Sequence, residues 1–188
     1  MIIKERSKAE VEKKLSSMGD YVRIDYLDRI LRRDTPLEIK NFAYEKLSAL
    51  YEDKGMFAES ARNMNALADS SITFREKIQR YVKTAELFIK AGMDNEAEKA
   101  FSKALACGSS KEKEEIKGKL KEFYFNQAQF YERGRKSNRA LAIYEKILRM
   151  KITDIEIKEV KKKMLPLYDK LGKIQEYFRV KKQLEENE

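Results

Sequence analysis

The chain has 188 residues, with 41 Lys and Arg against 32 Asp and Glu for a formal net charge of +9, one cysteine, two prolines and no histidine. Its length lies within the range of one domain with a sizeable core. The composition excludes an intramolecular disulfide and any histidine-based acid–base or metal site, and no segment approaches the ~20 apolar residues of a membrane helix.

Taken in chain order, "MIIKERSKAE" becomes charged at Lys4, so it lacks the apolar centre of a signal peptide. A soluble protein of the reducing cytoplasm, with no membrane partner, is expected. A Ser or Thr followed three residues later by Glu then recurs five times: Ser7 to Glu10, Thr35 to Glu38, Thr73 to Glu76, Ser109 to Glu112 and Thr153 to Glu156. This is the capping-box spacing, in which the hydroxyl accepts from an orphan helix N–H and the Glu reaches back to the N–H of the cap. Pro36 is expected at the first helical position, where a missing donor costs nothing.

Each of these helices runs to a glycine: Gly19, Gly55, Gly92, Gly134 and Gly172. A glycine past a helix end takes the left-handed conformation that lets the chain reverse. A second, shorter apolar pattern follows each one, as in "YVRIDYLDRIL" and "NRALAIYEKIL". The reading is an all-α chain of five helical hairpins, units of about 5–34, 35–71, 72–108, 109–152 and 153–188 in one domain, because hairpins of this size bury their apolar faces only by stacking. Pro166, inside the last long helix, is expected to kink it.

The clearest unit reads Tyr81, Thr84, Ala85, Phe88, Gly92, Ala97, Phe101 and Ala104. It resembles the tetratricopeptide repeat, a helix–turn–helix of ~34 residues with aromatic and small residues in this order. The unit before it reads Tyr44, Leu47, Ser48, Tyr51, Gly55, Ser60, Met64 and Leu67. The unit after it reads Tyr124, Gln127, Ala128, Tyr131, Ala140, Tyr144 and Ile147 when counted from Arg135 rather than Gly134. The glycines are 36, 37, 42 and 38 residues apart, longer than the family's unit, so the likeness is to the broader tetratricopeptide-like superfamily.

The resemblance implies a right-handed α-solenoid of about five hairpins that acts as a non-enzymatic protein–protein scaffold or adaptor. In that family the first helices of successive units line a groove for a peptide or helix of a partner. The corresponding positions here are Phe42, Ala49, Val82, Glu86, Ile89, Phe125 and Gln129. At the positions where one subset of the family clamps acidic tails, this chain has Val82, Glu86 and Glu159, with only Asn126 and Lys163 fitting, so such a clamp is not expected. A homodimer is also open.

No catalytic, metal or cofactor motif is present: Cys107 has no histidine partner and reads as a buried helix-end residue, and the carboxylates lie one helical turn from lysines. The aromatic residues fall mostly at the repeat positions and read as core. Two basic clusters stand apart, Arg133, Arg135, Lys136 and Arg139 around a hairpin turn, and Lys158, Lys161, Lys162 and Lys163 on the next long helix. They support the alternative of a basic helical-repeat protein that docks on RNA or a ribonucleoprotein such as a ribosomal subunit.

Overall fold

The computed structural model describes residues 7–186, and among them the regular structure is entirely α-helical. Ten helices follow in order: α1 (Lys8–Leu15), α2 (Asp20–Leu31), α3 (Leu37–Asp53), α4 (Phe57–Asp69), α5 (Phe74–Ala91), α6 (Asp94–Cys107), α7 (Ser110–Arg133), α8 (Ser137–Leu148), α9 (Asp154–Lys170) and α10 (Ile174–Glu185). The chain divides into two compact units, Met1–Ile116 and Lys117–Glu188, with the division inside α7.

In the first unit each helix from α2 to α5 packs on the next, and α1 touches α3. Val11 and Leu15 of α1 join Tyr26, Leu27 and Ile30 of α2 and Ile39, Ala43 and Leu47 of α3 in one buried cluster. Helix α5 packs between α4 and α6, and its buried residues, Tyr81, Val82, Thr84, Ala85, Leu87, Phe88 and Ile89, extend well around its circumference. A helix flanked on both sides needs this wide apolar arc. In the second unit α9 packs on both α8 and α10, around Val160, Met164, Leu167 and Tyr168.

Four of the five expected caps form. The N–H of Glu10 donates to Ser7 Oγ, that of Glu76 to Thr73 Oγ1, that of Glu112 to Ser109 Oγ and that of Glu156 to Thr153 Oγ1. At 109 and 153 the Glu carboxylate also accepts from the backbone N–H of the cap, completing a capping box. The Thr35 cap does not form. Pro36 is itself the N-cap, α3 begins at Leu37, and the Thr35 hydroxyl donates to the carbonyl of Ile30 instead. The proline ring fixes its own φ, −52° here, and disfavours the helical conformation for the residue before it, which leaves Thr35 one residue outside the helix.

Four hairpin turns share one backbone geometry. The N–H of Met56 donates to the carbonyl of Tyr51, Met93 to Phe88, Lys136 to Tyr131 and Lys173 to Tyr168, at 2.8–2.9 Å. This six-to-one bond needs a left-handed residue just before its donor. Gly55, Gly92 and Gly172 supply it with φ of 70°, 75° and 66°, and in the α7–α8 turn Arg135 supplies it with φ of 56°. Gly134 therefore does not hold the reversal, as the register counted from Arg135 requires. Gly19 does not hold one either: at φ −71° it is the N-cap of α2, because the chain reverses through a tight turn in which Met18 N–H donates to Leu15.

Where α3 meets α4, Ser48 and Ser60 are fully buried and satisfy one another: Ser60 Oγ donates to the Ser48 carbonyl at 2.7 Å, and the hydroxyl oxygens lie 3.1 Å apart. Helix α9 continues past Pro166 to Lys170, and Pro166 is exposed, so its missing donor lies on the side where water can reach the freed carbonyl. Cys107 ends α6 as expected but is half-buried rather than buried.

Candidate functional site

The positions that the family resemblance assigns to a groove fall into different environments. In the first unit Ala49 is exposed and Phe42 half-buried, whereas Val82 is 8% and Ile89 2% exposed. Val82 and Ile89 are core residues of the wide α5 arc and present almost no surface to a ligand. Glu86 is half-buried and already engaged: Lys90 Nζ lies 2.6 Å and Lys83 Nζ 3.3 Å from its carboxylate, and both lysines also reach Glu52 of α3. Burial pushes the Glu86 carboxyl upward, but Lys90 and Lys83 together outweigh it and hold the group below the usual carboxylate range. The four alternating charges neutralise one another across α3 and α5.

Beside this network lies an open notch of about 330 Å³ between the starts of α3 and α5. Leu37, Phe42, Leu67 and Ile72 supply its apolar surface, and Ile72 is 92% exposed. Three carboxylates, Glu38, Glu45 and Glu76, share the rim with Lys8 and Arg80. Lys8 pairs with Glu38 at 3.0 Å, and Arg80 reaches Ser71 Oγ at 2.6 Å.

Leu37 and Ile72 were missed by the repeat register, although the sequence carries a signal for Ile72. An apolar residue just before an N-cap normally packs on the fourth helical residue. Before Thr153, Ile152 has Ile157 at that position, and both are half-buried; before Thr73, Ile72 faces Lys77 and stays exposed.

In the second unit Phe125 and Gln129 are half-buried, and the Phe125 ring meets Tyr144 edge-on at 6.5 Å. Residues 117–188 hold 19 of the 41 Lys and Arg but only 11 of the 32 Asp and Glu, a net +8 against +1 for residues 1–116. Arg133, Arg135, Lys136 and Arg139 are all exposed, and Lys136 and Arg139 lie 6.0 and 5.8 Å from the centre of the Tyr131 ring. Among the described residues, none of these four, nor Lys161, Lys162 or Lys163, has a carboxylate within ion-pair distance.

The second basic run is spread around α9. Lys162 points opposite the buried Val160–Met164 stripe, while Lys161 and Lys163 flank that stripe on either side. Helices α8 and α9 pack together through a connection of residues 149–153 and so run antiparallel. Arg139 lies nine residues before the end of α8 and Lys163 nine residues after the start of α9, so both are about 14 Å from that connection. Lys158 and Lys161 lie nearer the connection and do not share this level. Nearby, Glu156 accepts from Lys121 and from the Thr153 N–H, and these bonds hold its carboxyl below the usual range.

Among the described residues no group of three or more potential ligands could hold a metal ion, and no helix is long and apolar enough to cross a membrane. No family model and no curated protein matches the chain. A solved structure, the crystal structure of BtubC (BKLC) from P. vanneervenii, is similar over 94% of this chain and 72% of its own, with 16% identity and a TM-score of 0.36. At that score the likeness adds nothing to the fold described above.

Proposed function

We propose that the chain is a non-enzymatic helical-repeat scaffold that receives a peptide or helix of a protein partner in the notch between α3 and α5. The finer architecture belongs to the same proposal: five tetratricopeptide-like hairpins in a right-handed solenoid, supported by the turn geometry that recurs at Gly55, Gly92, Arg135 and Gly172. The observation that carries the reading is Ile72, an isoleucine almost fully in water above Phe42 and Leu67. Covering such a side chain is worth about 1.5–3 kcal/mol. Glu45, exposed and unpaired on the rim, suits an apolar side chain followed by Lys or Arg in the partner.

The test is crosslinking capture of partners with the natural protein and with a Leu37→Glu/Ile72→Glu variant. Both positions are exposed, so the fold is retained by circular dichroism, and the captured partners are lost. An unchanged set of partners would sink the reading. Val82→Glu is not a usable probe, because it buries a carboxylate in the core.

A second reading, docking on RNA or a ribonucleoprotein, is favoured by one observation: the net charge of +8 carried by residues 117–188. Material that co-purifies with the protein, is sensitive to nuclease and leaves as salt rises supports it. Retention that is indifferent to salt speaks against it.

A further inference from the structure

The chain contains its own comparison set, because four hairpin turns share one backbone geometry. At the position before the aromatic carbonyl that accepts the six-to-one bond, three hairpins have leucine, Leu50, Leu87 and Leu167, each half-buried or buried. The fourth has Phe130, which is 61% exposed. In the left-handed slot three turns have glycine, and the fourth has Arg135 although Gly134 stands next to it. Four residues past that slot three turns have Glu59, Glu96 and Glu176, acidic residues in the first turn of a helix; the fourth has Arg139, and α8 has no acid in its first turn.

Each of these differences works against local stability. An exposed phenylalanine loses its burial, a side chain in the left-handed region is strained, and a cation in the first helical turn opposes the helix dipole. All three concern one surface, and each adds an aromatic face or a positive charge to it. Arg133 lies one helical turn beyond Phe130 on α7, and Lys136 follows Arg135 directly.

We propose that the α7–α8 turn binds single-stranded nucleic acid, with Phe130 stacking on a base and Arg133, Arg135, Lys136 and Arg139 contacting phosphates. This rests on the second reading above, in which a basic, polyanion-binding surface docks on RNA or a ribonucleoprotein, and specifies its chemistry. An acidic protein surface would satisfy the cations but has no use for an exposed aromatic face. A duplex hides its base faces inside the stack and offers this surface only phosphates. A single strand presents both, and stacking of a base on an aromatic side chain tolerates any sequence.

The test uses the full chain and fluorescence anisotropy with four labelled probes: oligo-U and oligo-dT about 12 nucleotides long, a duplex of the same length and a polyglutamate peptide. Single strands bind more tightly than the duplex at equal salt, with a log–log salt slope near −3 for about four phosphate contacts. Phe130→Ala weakens the single strands roughly tenfold or more and leaves duplex binding unchanged, and Phe130→Tyr restores it. Preference for oligo-U over oligo-dT identifies the ligand as RNA; equal binding identifies any single strand.

Single strands that bind no better than the duplex, with Phe130→Ala silent, overturn the stacking site and leave the polyanion reading standing. Binding of polyglutamate alone overturns the nucleic-acid assignment. Binding of none of the four probes removes both readings.

Discussion

Replacing Arg135 by glycine is expected to stabilise the protein. Its φ of 56° lies where the other three turns have glycine, and a Cβ there costs about 1–2 kcal/mol. Glycine removes that strain but gives the unfolded chain more freedom, an opposing contribution of about 0.4–1 kcal/mol. At the middle of these ranges the net gain is about 0.8 kcal/mol. With a urea dependence of about 2 kcal/mol per molar, the unfolding midpoint followed by far-ultraviolet circular dichroism moves up by about 0.3–0.5 M.

Gly172→Ala is the mirror experiment. Its φ is 66° and nothing lies within 4 Å of the added Cβ, so backbone conformation alone sets the cost. It is expected to lose about the amount that Arg135→Gly gains. If Arg135→Gly leaves the midpoint unchanged or lowers it while Gly172→Ala costs as expected, Arg135 is not strained in its turn. Arg135→Asn, uncharged but tolerant of this conformation, should fall between arginine and glycine.

Ser48→Ala or Ser60→Ala alone should cost about 0.5–1.5 kcal/mol, since each removes one buried hydroxyl and its hydrogen bonds while the hydroxyl that remains still donates to the backbone carbonyl opposite. The double change should cost less than the sum, because the next units have Ala85 with Ala97 and Ala128 with Ala140 at these positions; additive losses in a double-mutant cycle would show that the pair does not act as a unit. Glu156 is held below its unfolded value by Lys121 and Thr153, so its contribution is present above about pH 4.5 and is lost as pH falls through the folded value. Thermal unfolding of Glu156→Gln across pH 3–6 should show a shallower acid limb than the natural protein, and an identical limb would remove Glu156 from the acid response. Pro166→Ala should restore a helical hydrogen bond within α9 and raise stability by up to about 3 kcal/mol, read from the same urea titration. A loss of stability instead would mean that α9 depends on the proline.

Most of the fold could be read from local signals, because caps and turns are local physics. Thr73 and Thr153 open helices in the structure as their spacing requires, and counting the fourth unit from Arg135 located the reversal that Gly134 alone would have misplaced. Thr35 failed because Pro36 took over the cap, a contest between neighbours that the spacing rule does not weigh. Two of the seven groove positions lie in the core for a different reason. Family register says which way a residue points relative to its own helix, but Val82 and Ile89 are buried because α5 has neighbours on both sides, which is a tertiary fact. The contrast between Phe130 and Leu50, Leu87 and Leu167 was present in the sequence. It became informative only when the shared turn bond aligned the four hairpins and burial separated one from the rest.

That shared turn bond also makes the hairpins exchangeable parts. A segment copied from Gly134–Arg139 onto Ala91–Glu96 keeps the same donor and left-handed slot and replaces no buried residue, so the backbone has no reason to change while the surface gains three cations and loses two acids. In a chain built this way, one hairpin can carry a different surface chemistry while the shared turn geometry stays the same.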